Sequence, residues 1–219
     1  MVDSTTVTKF NRNIAEKYVK DIFATHYDAN IRSFMPTIIT LSEDERLLAS
    51  VSLRSGAAEN ILVEKYLQLP IQHEIKKYIS RNVLRSDVVE VGNMVASSLG
   101  GARKLIYMLT AFLKGAGFKY VIFTATPQLL NTFNRLGLSP KFLAFADREK
   151  IKFPDEWGSY YETKPQVVFG CVNEGYRFLK KQIKEVSYAE TVNLWNKSLK
   201  IGMNSNKKSL AEYINIDIR

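Results

Sequence analysis

The chain has 219 residues, 46% of them hydrophobic and 24% charged, which is enough to bury a sizeable core and is far from disordered or collagen-like composition. A single cysteine, Cys171, excludes an intrachain disulfide framework, and the longest nearly apolar run, Leu105 to Leu113, is half a membrane span. The net charge of +9 is uneven: residues 1–100 carry 12 basic against 12 acidic side chains, residues 101–175 carry 10 against 6, and residues 176–219 carry 9 against 4. A basic second half can steer coenzymes, acidic proteins, anionic lipid or nucleic acid, and charge alone does not choose among them.

In chain order, residues 1–8 lack the basic-then-apolar layout of a signal peptide, so a cytoplasmic protein is expected. Phe10 to Phe23 places Ile14, Tyr18 and Ile22 at helical spacing. Ile31 to Leu41 and Leu47 to Leu53 read as strands around the charged turn Ser42-Glu43-Asp44-Glu45. Asn60 to Leu69 fits strand or helix, and Ile71 to Ile79, after Pro70, fits a helix. Val88 to Ala96 is a β-type run feeding Ser97-Ser98-Leu99-Gly100-Gly101-Ala102. Leu105, Met108, Leu109 and Phe112 then mark a helix that Gly115 and Gly117 end. Lys119 to Ala125 reads as an apolar strand, Pro127 to Leu136 as a helix stopped by Gly137, and Lys141 to Ala146 and Val167 to Val172 as further strands. Tyr176 to Leu199 forms one basic amphipathic pattern with Phe178, Leu179, Ile183 and Val186 among Lys180, Lys181 and Lys184. Lys197 to Lys208 is a loose polar connection to a last short apolar segment. With no repeat or linker before it, the expected organisation is one domain over residues 1–175 and a basic, partly helical extension over 176–219.

A strand leading through glycines into a helix N-terminus is a ready anion site, because first-turn N–H groups lack intrahelical partners and the helix dipole favours negative charge. Gly100, Gly101 and Ala102 remove bulk where a phosphate would approach, and Arg103 and Lys104 add countercharge. The plainer reading is a tight turn whose glycines satisfy positive φ. The stretch is neither a Walker A loop nor a three-glycine dinucleotide motif.

Ser97-x-x-Gly100-x-Ala102 between strand and helix, followed by a helix with Asn131 and a stop at Gly137-Leu138, resembles the acyl-CoA core of GNAT-type N-acetyltransferases. That resemblance implies a mixed, mostly antiparallel sheet flanked by helices with splayed central strands. It also implies a pyrophosphate held at Gly100, Gly101, Ala102, Arg103 and Lys104, with Val95, Thr124 and Asn131 beside the pantetheine arm. Two positions depart from the pattern: Ser97 replaces the usual Gln or Arg, and Phe133 stands where many members place a proton-donating Tyr.

A more specific resemblance covers most of residues 20–175. The runs LVEKYL from Leu62, EVGNM from Glu90, FTAT from Phe123, RLGL from Arg135, Ala146-Asp147 and WGSYY from Trp157 are similar to blocks of the bacterial thermostable hemolysin family. That family groups with acetyltransferase-like and acyl-homoserine-lactone-synthase-like folds.

Several residues carry two readings. Glu90, on the strand entering the cradle, is a substrate ligand or base, or is paired with an arginine such as Arg85 or Arg103. Gly92 marks a bulge or a close backbone approach, and Asn93 beside it is placed with the acceptor. Asp147 faces the cleft or caps the turn at Arg148. Tyr160 and Tyr161 supply a phenolic acid in place of Phe133, or pack as core aromatics. Thr124 and Thr126 contact pantetheine or, for Thr126 above all, cap the helix at Pro127. His26 and His73 lack partners at metal spacing, and no metal is expected.

The reading is an acyltransferase that moves an acyl group from acyl-CoA, or from the phosphopantetheine of an acidic acyl carrier protein, to an amine. Glu90, Asn93, Asp147 and Tyr160 are its candidate catalytic residues. The alternative is a membrane-associated protein that lays its basic tail helix on an anionic surface. Nucleic acid ranks behind both, because no recognised module accompanies the charge.

Overall fold

The structure is a computed structural model describing residues 11–44, 46–58, 61–186, 189–205 and 213–218. Expectations that fall on residues 1–8, 10, 45, 60 and 206–208, and on the side chains at 184 and 186, lie outside the described residues. Helix α1 (Arg12–Tyr27) starts at Asn11, whose side chain accepts the Ile14 N–H, and buries Ala15, Val19 and Phe23 at i, i+4, i+8. Strand β1 (Thr37–Glu43) begins later than the expected Ile31. Arg12 explains the delay: its guanidinium donates to the carbonyls of Met35 at 2.9 Å and Pro36 at 2.6 Å, so those groups serve the helix and not a ladder. Proline also brings no N–H of its own.

After β2 (Arg46–Ser55), the ambiguous stretch is a 3-10 turn, Leu62–Lys65, and α2 (Ile71–Lys76) is shorter than expected. Then follow β3 (Val88–Ala96), α3 (Leu99–Gly115), β4 (Tyr120–Ala125), α4 (Pro127–Arg135), β5 (Lys141–Phe145), β6 (Gln166–Cys171), α5 (Val172–Val186), α6 (Ala189–Asn204) and β7 (Tyr213–Asp217). The expected single basic helix is two, because α5 buries Leu179 and Ile183 while α6 buries its own stripe of Leu194, Trp195, Ser198 and Gly202.

The strands form one sheet in the order β5-β6-β4-β3-β2-β1-β7. Pairing is parallel at β3/β4 and β1/β7 and antiparallel elsewhere. This is the mixed, mostly antiparallel α/β sheet with flanking helices that the sequence leads one to expect. One face carries α3 to α6 in a continuous core that includes Leu105, Phe112, Leu179, Trp195 and Ile216. The other is covered by α1, α2 and the 3-10 turns. Helices α3 and α6 approach backbone to backbone: a Cβ on Gly115 would fall 2.2 Å from the Leu199 carbonyl oxygen, and one on Gly202 2.2 Å from the Phe112 carbonyl oxygen. The helix that opens the glycine motif is therefore seated from behind by the C-terminal part of the chain.

Candidate functional site

The parallel strands β3 and β4 pair from Val88 with Tyr120 to Val91 with Phe123, and then part. Past that point β3 stays on β2 and β4 stays on β6, leaving the facing edges of Gly92–Ala96 and Thr124–Ala125 without each other. On β3 the parting coincides with a bulge, where Gly92 and Val95 oppose Ser52 and Ser50, so that two residues stand against one. Asn93 holds it with φ of +47°, a conformation that Asn tolerates better than most residues. The bulge reverses the alternation of β3: Val89 and Val91 face the α3 core before it, whereas Met94 and Ala96 do so after it and Val95 turns toward α1. Gly92 also meets the expected close approach, since a Cβ there would lie 2.5 Å from the Met35 methyl.

Helices α3 and α4 start where β3 and β4 end, so two helix N-termini flank the open end of the splayed pair, the usual ligand crevice of parallel strands. Ser98 caps α3, accepting the Gly101 N–H at 3.0 Å through Oγ, while its carbonyl accepts the Ala102 N–H. The first-turn amides left without an intrahelical acceptor are those of Leu99 and Gly100. The glycines lie within the helix and not in a turn before it, and neither has positive φ. The positive-φ reading is thereby set aside. Gly101 is required by packing, because its Cβ would meet the Leu48 carbonyl oxygen at 2.9 Å. Gly100 is open: a Cβ there would have only Ser98 Oγ near it, at 3.8 Å.

Around this cradle Arg103 is exposed. Lys104 is engaged elsewhere, bridging Glu43 of β1 at 3.7 Å and Glu190 of α6. Ser97 is tied to β2, its N–H and hydroxyl both donating to the Leu48 carbonyl. On the α4 side, Thr126 Oγ1 accepts the Leu129 N–H and is the helix cap, Thr124 is half-buried at the parted edge, and Asn131 is exposed. Phe133 is buried, its ring 5.1 Å from that of Phe123. Two tyrosines of α1 that sequence reasoning passed over reach the strand ends: the Tyr27 hydroxyl lies by the Thr126 side chain and the Tyr18 hydroxyl by Ser97. Burial pushes both phenols up. Only the helical period linking Tyr18 to Ile14 and Ile22 hinted at their side of the helix.

Glu90 is fully buried, and its partners are neither Arg85 nor Arg103. Its Oε1 accepts the Val63 N–H at 2.8 Å, and its Oε2 lies 3.4 Å from Arg54, the residue directly across on β2. Burial pushes the Glu90 carboxyl up, against the opposing pull of the Val63 amide and Arg54. Arg85 instead binds Glu64, whose carboxyl is held low despite its burial by that guanidinium and the Ile71 amide. The Glu90 carboxylate thus anchors the 3-10 turn. Beside it, the hydroxyls of Tyr66 and Tyr161 share a 2.6 Å hydrogen bond.

Asp147 is exposed and caps a short turn, accepting the Glu149 N–H at 3.0 Å. With Phe145, Arg148, Tyr161 and Lys164 it lines an open depression of about 510 Å³. It follows β5, which β6 separates from β4, so it is not brought to the α3 cradle. Tyr160 is buried among the rings of Phe23, Tyr27, Trp157 and Tyr161, and burial pushes its phenol far up. Asn93, Val95, Gly100, Gly101, Ala102, Arg103 and Thr124 are therefore gathered at the parted strands, with Glu90 beneath them.

Among the described residues no group of three or more His, Cys, Asp or Glu side chains could hold a metal ion, and no helix is long and apolar enough to cross a membrane. Solved structures with partial likeness include TofI in an apo form, 12% identical over 64% of this chain and 70% of that one, with a TM-score of 0.43. BjaI, a CoA-dependent acyl-homoserine lactone synthase with SAM and isopentyl-CoA, is 12% identical over 65% of this chain and 62% of its own, with a TM-score of 0.42. MesI, another CoA-dependent acyl-homoserine lactone synthase, is 13% identical over 64% and 65%, with a TM-score of 0.39. No curated protein matches the sequence. The family description "Thermostable hemolysin" matches residues 5–176, which span the parted strands, both flanking helices and the WGSYY block, and the chain belongs to that family.

Proposed function

We propose that the chain is an acyltransferase that moves an acyl group from a thioester, carried by coenzyme A or by the phosphopantetheine of an acyl carrier protein, to an amine. The amine nitrogen attacks the thioester carbonyl carbon, a C–N bond forms, the C–S bond breaks, and the proton released by nitrogen ends on the thiolate. The observation that carries this reading is the parting of β3 and β4 between two helix N-termini. An extended amide-bearing arm can add to the free strand edges at Val95 and Thr124, as a peptide adds to a sheet edge. Its phosphates then meet the Leu99 and Gly100 amides, with Arg103 as countercharge.

In this reading Ser98 positions the cradle, Gly101 brings α3 against Leu48, and Asn131 borders the arm. Asn93 holds the bulge at which the acceptor arrives, and Glu90 is a positioning residue that fixes the turn covering that side. Phe133 has no proton to give. Tyr27, half-buried with its hydroxyl by Thr126 at the open end, is better placed than the buried Tyr160 to return a proton to the leaving thiolate. The exposed cations Arg103, Arg177 and Lys180 suit a polyanionic donor, coenzyme A or an acidic carrier protein alike. Among the described residues of α5, Leu179 and Ile183 of the apolar stripe are turned into the core and Phe178 stays partly exposed, so most of that stripe is committed to the fold and not to a lipid surface.

The test is release of free thiol from acetyl-CoA, longer acyl-CoAs and acyl-loaded carrier protein in the presence of amines. Release that needs both protein and amine, and that Gly100→Trp removes, supports the assignment. Absence of release from every donor with every amine refutes it.

A further inference from the structure

Buried side-chain polar atoms normally find hydrogen-bond partners, so those that do not call for an explanation. Among the described residues five lack one, and two of the five lie on one face of a single strand: Ser50 Oγ and Ser52 Oγ. Ser50 and Ser52 lie on the β2 face opposite α3, because the alternating residues Ala49, Val51 and Leu53 belong to the α3 core. In register Ser52 stands across from Gly92 and Ser50 from Val95, one on each side of the β3 bulge. Tyr18 comes down from α1 onto the cluster that contains Val95. Both serines are 0% exposed.

The space beside them is filled in an unusual way. Met35 reaches over Gly92 so closely that any side chain at 92 would collide with its methyl. Its backbone belongs to the irregular segment between α1 and β1, held by the Arg12 guanidinium through the Met35 and Pro36 carbonyls. An unbranched thioether adapts its shape more readily than any other apolar side chain. The sheet thus keeps two buried hydroxyls without partners on the strand that faces a glycine covered by an adaptable methionine.

We propose that the Ser50–Ser52 face of the bulge is the acceptor pocket, that it takes a small primary amine, and that Met35 occupies it when no acceptor is bound. This rests on the acyltransferase reading above and deepens it. An amine nitrogen offers donors that the two serine hydroxyls accept, and from that face it meets the thioester across the bulge at Gly92 and Asn93. The donor lies in the parted strands and the acceptor on the α1 side, so the two substrates enter separately and meet where β3 changes its alternation. Retaining unpartnered hydroxyls sets stability against binding, a trade that functional sites commonly show.

The test uses Ser50→Ala, Ser52→Ala and Met35→Ala in the full chain, with a panel of L-amino acids, their amides and linear diamines as amines. Each serine variant is expected to melt at a higher temperature than the parent, to bind thioester unchanged, and to raise the KM for the best amine about tenfold. Met35→Ala is expected to lower that KM. A role in folding alone predicts the reverse for stability, so serine variants that melt lower overturn the proposal. Unchanged amine KM with thioester turnover intact overturns it as well. If no thioester is bound or turned over, the acyltransferase reading fails by itself. The pocket is then judged on amine-induced thermal shifts, which support it if present in the parent and lost in both serine variants, and overturn it if equal or absent throughout.

Discussion

Gly202→Ala adds one methyl group where α6 crosses α3. Its Cβ would fall 2.2 Å from the Phe112 carbonyl oxygen, 3.0 Å from the Phe112 carbonyl carbon and 3.0 Å from the Ala116 nitrogen. All three are backbone atoms of α3 or its end, so no side-chain rotation relieves the clash, and α6 must withdraw by about 1 Å to reach ordinary contact distance. That withdrawal loosens Leu194 and Trp195, both nearly fully buried against the same core. Overpacking of this kind costs about 1–3 kcal/mol. Removing a helical glycine returns about 1 kcal/mol, which leaves a net loss of about 2 kcal/mol from the upper part of that range. For a chain of this size that lowers Tm by about 4–8 °C.

Gly175→Ala is the matched control. It also lies in a helix, α5, but its Cβ would meet only Leu138 Cδ2 at 3.7 Å and Thr110 Cγ2 at 3.8 Å, both ordinary contacts. That variant should gain about 0.5–1 kcal/mol. Urea denaturation of the two proteins reads the difference as opposite shifts of the midpoint with unchanged slope. A Gly202→Ala protein as stable as the parent would refute the backbone-to-backbone seating of α6, and with it the claim that the C-terminal helices brace the helix carrying the glycine motif.

Three further outcomes follow from the same geometry. Gly101→Ala should destabilise by up to about 2 kcal/mol, the overpacking against the Leu48 carbonyl less the gain from removing a helical glycine, whereas Gly100→Ala should be neutral or stabilising; similar melting of the two variants contradicts the cradle packing. The raised Glu90 carboxyl means that the folded state holds its proton more tightly than the unfolded chain. Its contribution to stability is therefore full below the unfolded value of about 4.3 and falls as pH rises through the folded value. Glu64, held low, behaves oppositely: its contribution is present above about 4.3 and is lost as pH falls through the folded value. Denaturation of Glu90→Gln between about pH 4 and 7.5 should show it gaining on the parent as pH rises, and denaturation of Glu64→Gln between about pH 2.5 and 5.5 should show it losing ground on the parent as pH rises. Parallel trends would count against the assigned environments. Finally, Tyr66→Phe and Tyr161→Phe should each cost about 1 kcal/mol, and the double variant less than their sum, because both remove one shared hydrogen bond; full additivity would show the two hydroxyls to be independent.

The elements that position the site were legible because local signals agree with tertiary demands there. Val88 to Ala96 has the β-branched run and the glycine of a bulged strand, Leu105 to Phe112 has the apolar helical stripe, and Pro127 and Gly137 bracket α4. Where the expectation and the molecule differ, a distant partner decides. Arg12 withdraws two carbonyls from β1, and the packing of α6 on α3 splits what one basic pattern made look like one helix. Gly100 and Gly101 look alike in sequence, yet only Gly101 faces the carbonyl of Leu48, which lies far away in the chain on β2. Glu90 could be singled out as a buried acid, but not its partner, since Arg54 is set by the β2/β3 register. Ser50 and Ser52 alternate with Ala49 and Val51 as in any half-polar strand, and nothing local reveals that α1 covers them.

The central claim is that a thioester donor lies between the parted ends of β3 and β4 with its phosphates on the α3 N-terminus. Calorimetric titration of the parent and Gly100→Trp with acetyl-CoA, longer acyl-CoAs and acyl-loaded carrier protein tests it most directly, with thermal melts of both proteins alongside. Because the position is open to a side chain, the account predicts a variant that melts within a few degrees of the parent and no longer binds a donor that the parent binds saturably. Equal binding by a folded Gly100→Trp protein, or no binding of any thioester by the parent, would contradict it.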